Sequence, residues 1–281
     1  MMRKQLQIRT ASLVLCCIAA GSLLSGCKTK QVVLESGAAG SSQPVTAETL
    51  GGDGNVNFTL PEKGEEIVVM TIENYGDVKI KLFPEESEKG VENFKELVKS
   101  GFYDELLFHR VVDKFVVQGG DPKGDGSGGV DAWGSSEGFA QTISGKLNHV
   151  TGAVGYATAE DQMNKCQFYF VTGEKHDSKY FSALRDGYGI SFTPMIQSMY
   201  ESFGGDPDLD GRFEVFGQVF DGMDYILEIQ KVAVNEQNKP KSAVRIEKAV
   251  VTEYDGAAPH YVDAEGGAIS LDAAAGLNDE G

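Results

Sequence analysis

The chain has 281 residues, 42 acidic and 25 basic, with a formal net charge of −17 and a pI near 4.6. With 41% hydrophobic and 24% charged residues it has the composition of a globular protein, which excludes a wholly disordered chain. The acidic balance excludes nucleic acid as the main partner, because phosphate binding needs a basic face, and 35 glycines point to many turns and a β-rich fold.

In chain order, Arg3, Lys4 and Arg9 precede an apolar run over 11–24 that is short for a bilayer span. The run ends in Leu24, Ser25, Gly26 and Cys27, which resembles the lipobox of bacterial lipoproteins. That resemblance implies a signal peptide over 1–26 and a diacylglyceryl group on Cys27. The chain would then be anchored on the extracytoplasmic side of the cell membrane, since two acyl chains anchor stably. Cys16 and Cys17 would leave with the signal, so Cys166 alone would remain free and no intrachain disulfide is expected. Removing Arg3, Lys4 and Arg9 from the 25 basic residues leaves 22 against 42 acidic ones. So acidic a body is repelled by anionic headgroups, and a tether would be useful.

Residues 27–65 follow as the lipidated cysteine and a Gly-, Ser- and Ala-rich stretch that reads as a flexible linker. Residues 66–254 hold the expected domain, and 255–281, without Lys or Arg, read as a disordered acidic tail. Strands are predicted over 66–72 and 77–83, the second by its period-two alternation, with a turn signal at Asn74, Tyr75, Gly76 and Asp77. Ser87 is a candidate cap for a helix to about Ser100 with Val91, Phe94, Leu97 and Val98 on one face and Gly101 as its stop. Further strands are predicted over 107–112, 115–119, 151–156, 167–172, 214–220 and 243–253, and helices over 193–203 and 222–230. Many short strands with few helices suggest a closed antiparallel barrel.

The most informative segment contains Phe108, His109 and Arg110, then Phe115, then Gln118, Gly119, Gly120 and Asp121. It resembles the FHR…F..QGGD signature of cyclophilin-type peptidyl-prolyl cis-trans isomerases. Three further strings match that family in order: the glycine-rich 124–129, the strand beginning Cys166-Gln167-Phe168, and Leu209-Asp210-Gly211 followed by Val215-Phe216-Gly217. The resemblance covers about residues 66–254. It implies a mainly β fold, a closed eight-stranded antiparallel barrel with two main helices, that isomerises X–Pro bonds in secreted or cell-envelope proteins without a cofactor or metal. Proline-containing polypeptides would be its partners, with a monomer as the default expectation. Arg110 would be catalytic, with His109 and Gln118 orienting it and the amide. Phe115, Val116, Tyr169, Leu209 and Phe213 would form the proline pocket, Ala157 and Thr158 its rim, and Gln167 the neighbouring groove.

The chemistry fits those residue types. Rotation about an X–Pro amide faces a barrier near 18–20 kcal/mol because resonance stiffens the C–N bond. A permanently charged guanidinium that hydrogen-bonds the prolyl nitrogen only once resonance is broken favours the twisted amide selectively.

The chain also departs from the family pattern. Val116 stands where methionine is common, Thr158 where asparagine is frequent, and Phe213 replaces a histidine. Tyr169 is expected to add a hydroxyl to the pocket. Asp208 stands where eukaryotic members carry the tryptophan that binds cyclosporin, so weak cyclosporin affinity is expected. The 174–205 connection is longer than in compact members and reads as a packing insert or a selectivity element.

Other motifs are weaker. The acidic run 206–211 imitates half of a calcium loop but lacks the bidentate glutamate. The glycine-rich 124–129 lacks the lysine of a phosphate loop. The alternative to an enzyme is a non-catalytic proline-peptide binding module or chaperone on the same barrel.

Overall fold

The computed structural model describes residues 54–269. Among the described residues, ten strands and four α-helices follow one another. They are β1 (Glu66–Ile72), β2 (Gly76–Leu82), α1 (Glu88–Lys99), β3 (Arg110–Val112), β4 (Val116–Gly119), β5 (Phe139–Ala140) and β6 (Ala153–Tyr156). Then come β7 (Met163–Asn164), β8 (Phe168–Val171), α2 (Ser178–Tyr188), α3 (Pro194–Phe203), β9 (Val215–Asp221), α4 (Met223–Ile229) and β10 (Ile246–Glu253).

Eight strands form one antiparallel sheet in the order β10-β1-β2-β9-β6-β8-β4-β3, and β5 pairs with β7 in a two-stranded ribbon. The sheet is an open half-barrel sweeping 204°, not the closed barrel expected from the sequence. The reason lies at its edges. β3 is three residues long, and the Val111 N–H on its outer side donates to the carbonyl of Asn238, so a loop occupies the place β10 would need. The chain before β3 does reach the start of β10, through the bridge between Leu107 and Arg245 and backbone hydrogen bonds joining Glu105, Leu106 and Phe108 to Val244 and Ile246.

α1 forms where its apolar spacing predicts, with Val91, Phe94, Leu97 and Val98 buried and Gly101 at φ +70° ending it. Ser87 stands at its N-cap position, but its hydroxyl does not cap. It donates instead to the buried Glu214 carboxylate at 2.5 Å. Phe94 lies fully buried against Tyr103, Phe168 and Phe216, with ring centroids 4.8–5.5 Å apart. Burying one such ring contributes about 2–3 kcal/mol.

Among the described residues four helices are present, where the sequence predicted three, two of them main. α2 is the unforeseen one: Asp177 caps it by accepting from the Lys179 and Tyr180 N–H groups, and Gly189 at φ +70° ends it. Phe181 and Leu184 are buried in the small core shared with α3 and Tyr180 packs half-buried against it, a stripe too thin to read as a helical period.

Two flanking segments also differ from expectation. Residues 54–65, read as linker, and 255–269, read as disordered tail, pack onto the domain. Asn57 is fully buried, donating to the Asn148 carbonyl at 3.0 Å and to Gln218 Oε1 at 3.1 Å. The Lys81 ammonium donates to the Leu60 carbonyl at 2.7 Å. Tyr261 is 3% exposed and packs with Ile67, Phe220 and Tyr254. Isolated Asn and aromatic anchors in a Gly- and Ala-rich background carry no periodicity. The expected signal peptide, Cys27 and the rest of the expected linker and tail lie outside the described residues.

Candidate active site

Strand pairing sets out the site. Arg110 lies opposite Gln118, Gln118 opposite Tyr169, and Tyr169 opposite Gly155, across β3, β4, β8 and β6. Directly opposed residues project to the same side of a pleated sheet, so these side chains stand in one row. Val112, Val116 and Val171 form the next row on that side. The alternating residues Val111, Val117, Phe170 and Val154 go into the main core. Gly155 keeps a gap in the row: a Cβ there would sit 2.7 Å from the Tyr169 ring.

Phe115, Val116, Tyr169, Leu209 and Val215 form one apolar cluster, with Ala157 and Phe213 packed on it half-buried. The expected pocket residues are therefore brought together, at different depths. Val116, Tyr169 and Leu209 are at most 1% exposed and form the floor, while Ala157 and Phe213 remain open to a ligand. Tyr169 corrects one expectation: its hydroxyl bonds to His149 Nε2 at 2.9 Å, so it presents no polar group to the pocket.

Arg110 stands beside this cluster with its guanidinium carbon 5.6 Å from the Phe115 ring centroid. Its Nη1 donates to Gln118 Oε1 at 3.2 Å, Gln118 Nε2 donates to Gln167 Oε1 at 3.1 Å, and Gln167 Nε2 donates to the carbonyls of Gly126 and Gly128 at 3.1 and 2.7 Å. Among the described residues no carboxylate lies within ion-pair distance of Arg110. Burial lowers its pKa from the ordinary arginine value, yet arginine stays charged at any working pH. The site therefore holds an unneutralised cation braced by neutral amides.

The glycine-rich loop that ends this chain of amides is organised by Asp121. Its carboxylate accepts from the N–H groups of Lys123, Asp125 and Gly126. Those donors are satisfied within the protein, unlike those of a phosphate-binding loop. In the acidic run, Asp206 accepts from the Asp208 N–H, and both Asp210 oxygens take protein donors, so these carboxylates serve the fold.

His109 is 5% exposed and neither ring nitrogen has a hydrogen-bond partner, so it braces neither Arg110 nor Gln118. Burial lowers its pKa and keeps it neutral at pH 7. The Thr158 hydroxyl is likewise buried without a partner at the rim. Asp208 is half-buried and accepts from the Tyr180 hydroxyl of α2 at 3.2 Å. The Arg212 guanidinium carbon lies 5.8 Å from the Phe213 ring centroid.

The sequence reading missed the buried polar group beneath the pocket, His149, Asp210 and Tyr200. A usable signal was Tyr169 itself, since a buried tyrosine hydroxyl requires a partner.

Known proteins resemble this chain in sequence and in fold. A Staphylococcus saprophyticus protein named for peptidyl-prolyl cis-trans isomerase activity is 35% identical over 190 residues, 68% of this chain and 94% of that one. A Streptococcus pyogenes protein named for both phosphatase and isomerase activity is 38% identical over 186 residues, although the match spans only 38% of its length. The crystal structure of a Cryptosporidium parvum cyclophilin type isomerase, determined in the presence of the dipeptide Ala-Pro, superposes with a TM-score of 0.52 at 25% identity, covering 67% of this chain and 99% of that one. The family model for cyclophilin type peptidyl-prolyl cis-trans isomerases matches residues 67–251, and the chain belongs to that family.

Proposed function

We propose that this isomerase acts through Arg110 on X–Pro bonds of secreted or cell-envelope proteins, held at the membrane by a lipid on Cys27. The observation that carries the catalytic part is the unpaired guanidinium stacked on Phe115 and braced by Gln118 beside an apolar cluster. A proline ring laid against Phe115 and Phe213, with its backbone along Ala157 and Thr158, would bring the prolyl nitrogen towards Arg110. In the planar amide that nitrogen's lone pair is delocalised and accepts no hydrogen bond. In the twisted amide the pair is localised and the guanidinium binds it, so the stabilisation exists only near the transition state. An acceleration of about 10⁵ needs roughly 7 kcal/mol, within reach of a preorganised charged donor plus fixed orientation. The step needs no bond cleavage and no cofactor.

Two supports are independent of Arg110. The solved Cryptosporidium relative was crystallised with a proline dipeptide. The Cys27 context resembles a lipobox, and no helix among the described residues is long and apolar enough to cross a membrane.

The test is a proline-isomerisation assay on the protein and its Arg110→Ala variant, with peptide binding followed in parallel. Lost turnover with retained binding is the expected result. Equal turnover would remove Arg110 from the mechanism, and binding without turnover in the parent would leave a non-catalytic peptide-binding module. For the anchor, Cys27→Ser should move the protein from the membrane to the soluble fraction.

A further inference from the structure

Beneath the pocket lies a chain of buried hydrogen bonds that the reaction chemistry does not use. The Tyr169 hydroxyl and His149 Nε2 are 2.9 Å apart, and His149 Nδ1 is 2.9 Å from Asp210 Oδ1. The other Asp210 oxygen accepts from the Asn148 amide and from the Tyr200 hydroxyl, both at 2.6 Å. Tyr169, His149 and Tyr200 are at most 1% exposed, and Asp210 is 7% exposed.

The direction of each bond follows from donor and acceptor capacity. The Asp210 carboxylate only accepts, so the proton between it and His149 sits on Nδ1. In the neutral ring Nε2 then carries a lone pair, and Tyr169 must donate to it. The tautomer of His149 and the orientation of the Tyr169 ring are thus fixed by one carboxylate.

That carboxylate also belongs to the pocket wall by covalent connection. Asp210 follows Leu209, and its Oδ1 takes the His149 backbone N–H at 2.8 Å, tying the Leu209 turn to the segment leading into β6. The outer end of the relay is Tyr200, on α3 of the 174–205 insert.

We propose that His149, Asp210 and Tyr200 are positioning residues for the proline pocket, and that the insert, through Tyr200, sets how firmly the pocket floor is held. This deepens the reading of the pocket given above and rests on it. The insert is then a determinant of affinity for proline peptides rather than packing alone.

The experiment compares Tyr200→Phe, Tyr169→Phe and the double variant with the parent. Steady-state isomerisation, thermal unfolding and the ¹⁵N resonances of the His149 ring are measured for each. Each single change should raise KM about 3- to 10-fold, the size of one lost hydrogen bond, with kcat within about twofold. The double variant should match the larger single effect, because both changes interrupt one chain of bonds. The parent should show Nδ1 protonated and Nε2 as an acceptor.

A purely structural role would lower the unfolding midpoint and leave KM unchanged, which would overturn the proposal, as would the opposite tautomer. Loss of turnover in the parent, or equal rates with Arg110→Ala, would instead count against the catalytic reading. In that case peptide affinity, measured by titration, replaces KM, and an unchanged affinity in Tyr200→Phe overturns the relay.

Discussion

Two polar chains flank the proline pocket and differ in every respect that matters for function. One runs from Arg110 through Gln118 and Gln167 to the glycine-rich loop, carries a positive charge, and has no carboxylate in it. The other runs from Tyr169 through His149 to Asp210 and Tyr200, is centred on a carboxylate, and is closed at every donor and acceptor. A charge meant for a substrate must be left unpaired and partly open, and amides can orient it without neutralising it. A charge meant for the fold must be fully satisfied, because a buried unpaired group costs several times what a hydrogen bond contributes.

The comparison is broken most directly by Arg110→Ala, which should lower kcat/KM about 10²- to 10³-fold, the usual cost of losing a transition-state donor, in a proline-isomerisation assay. Asp210→Asn should leave the shape of the second chain but turn an acceptor into a donor facing Asn148 or Tyr200. A loss of about 2–3 kcal/mol in denaturant unfolding is expected. Gln118→Leu should cost about tenfold in kcat/KM with stability nearly unchanged, because Arg110 keeps its contact with Phe115 but loses its brace.

A smaller effect concerns pH. Burial, with Asp208 and Asp210 nearby, pushes the Asp206 carboxyl up to about 7 from 3.8. The folded state therefore binds that proton more tightly than the unfolded chain. The resulting stabilisation is fully present below about pH 4 and disappears as pH rises through about 7. Asp206 is part-exposed, so the gain is about 1–2 kcal/mol. Unfolding midpoints should rise as pH falls from 8 to 5, and Asp206→Asn should flatten that slope. Smallest of all, His109→Gln should change turnover by less than about twofold, since the ring bonds to nothing in the site.

Much of this was legible in the sequence, for identifiable reasons. Strands such as β2 alternate with period two, and α1 carries a broad apolar face, so both stand out locally. The pocket residues could be assigned because the FHR…QGGD resemblance places them at fixed positions on neighbouring strands. Barrel closure was not legible, since it depends on whether β10 or the loop at Asn238 reaches the outer side of the short β3. β5 and β7, two residues each, have no period at all. The relay beneath the pocket joins residues 149, 169, 200 and 210, and no local pattern links positions so far apart.

The clasp made by the two flanks sets a practical boundary for anyone who would excise this domain. Phe58 from one flank touches Phe203, with centroids 4.5 Å apart, and Tyr261 from the other at 5.5 Å, so the two ends are stitched together over the insert. A fragment trimmed to 67–251 would strip Phe220 of its cover and leave the Asn148 carbonyl and the Gln218 amide oxygen without the donors Asn57 supplies. Such a fragment should unfold at a lower temperature than one that keeps Asn57, Phe58 and Tyr261, because those side chains supply the missing cover and donors.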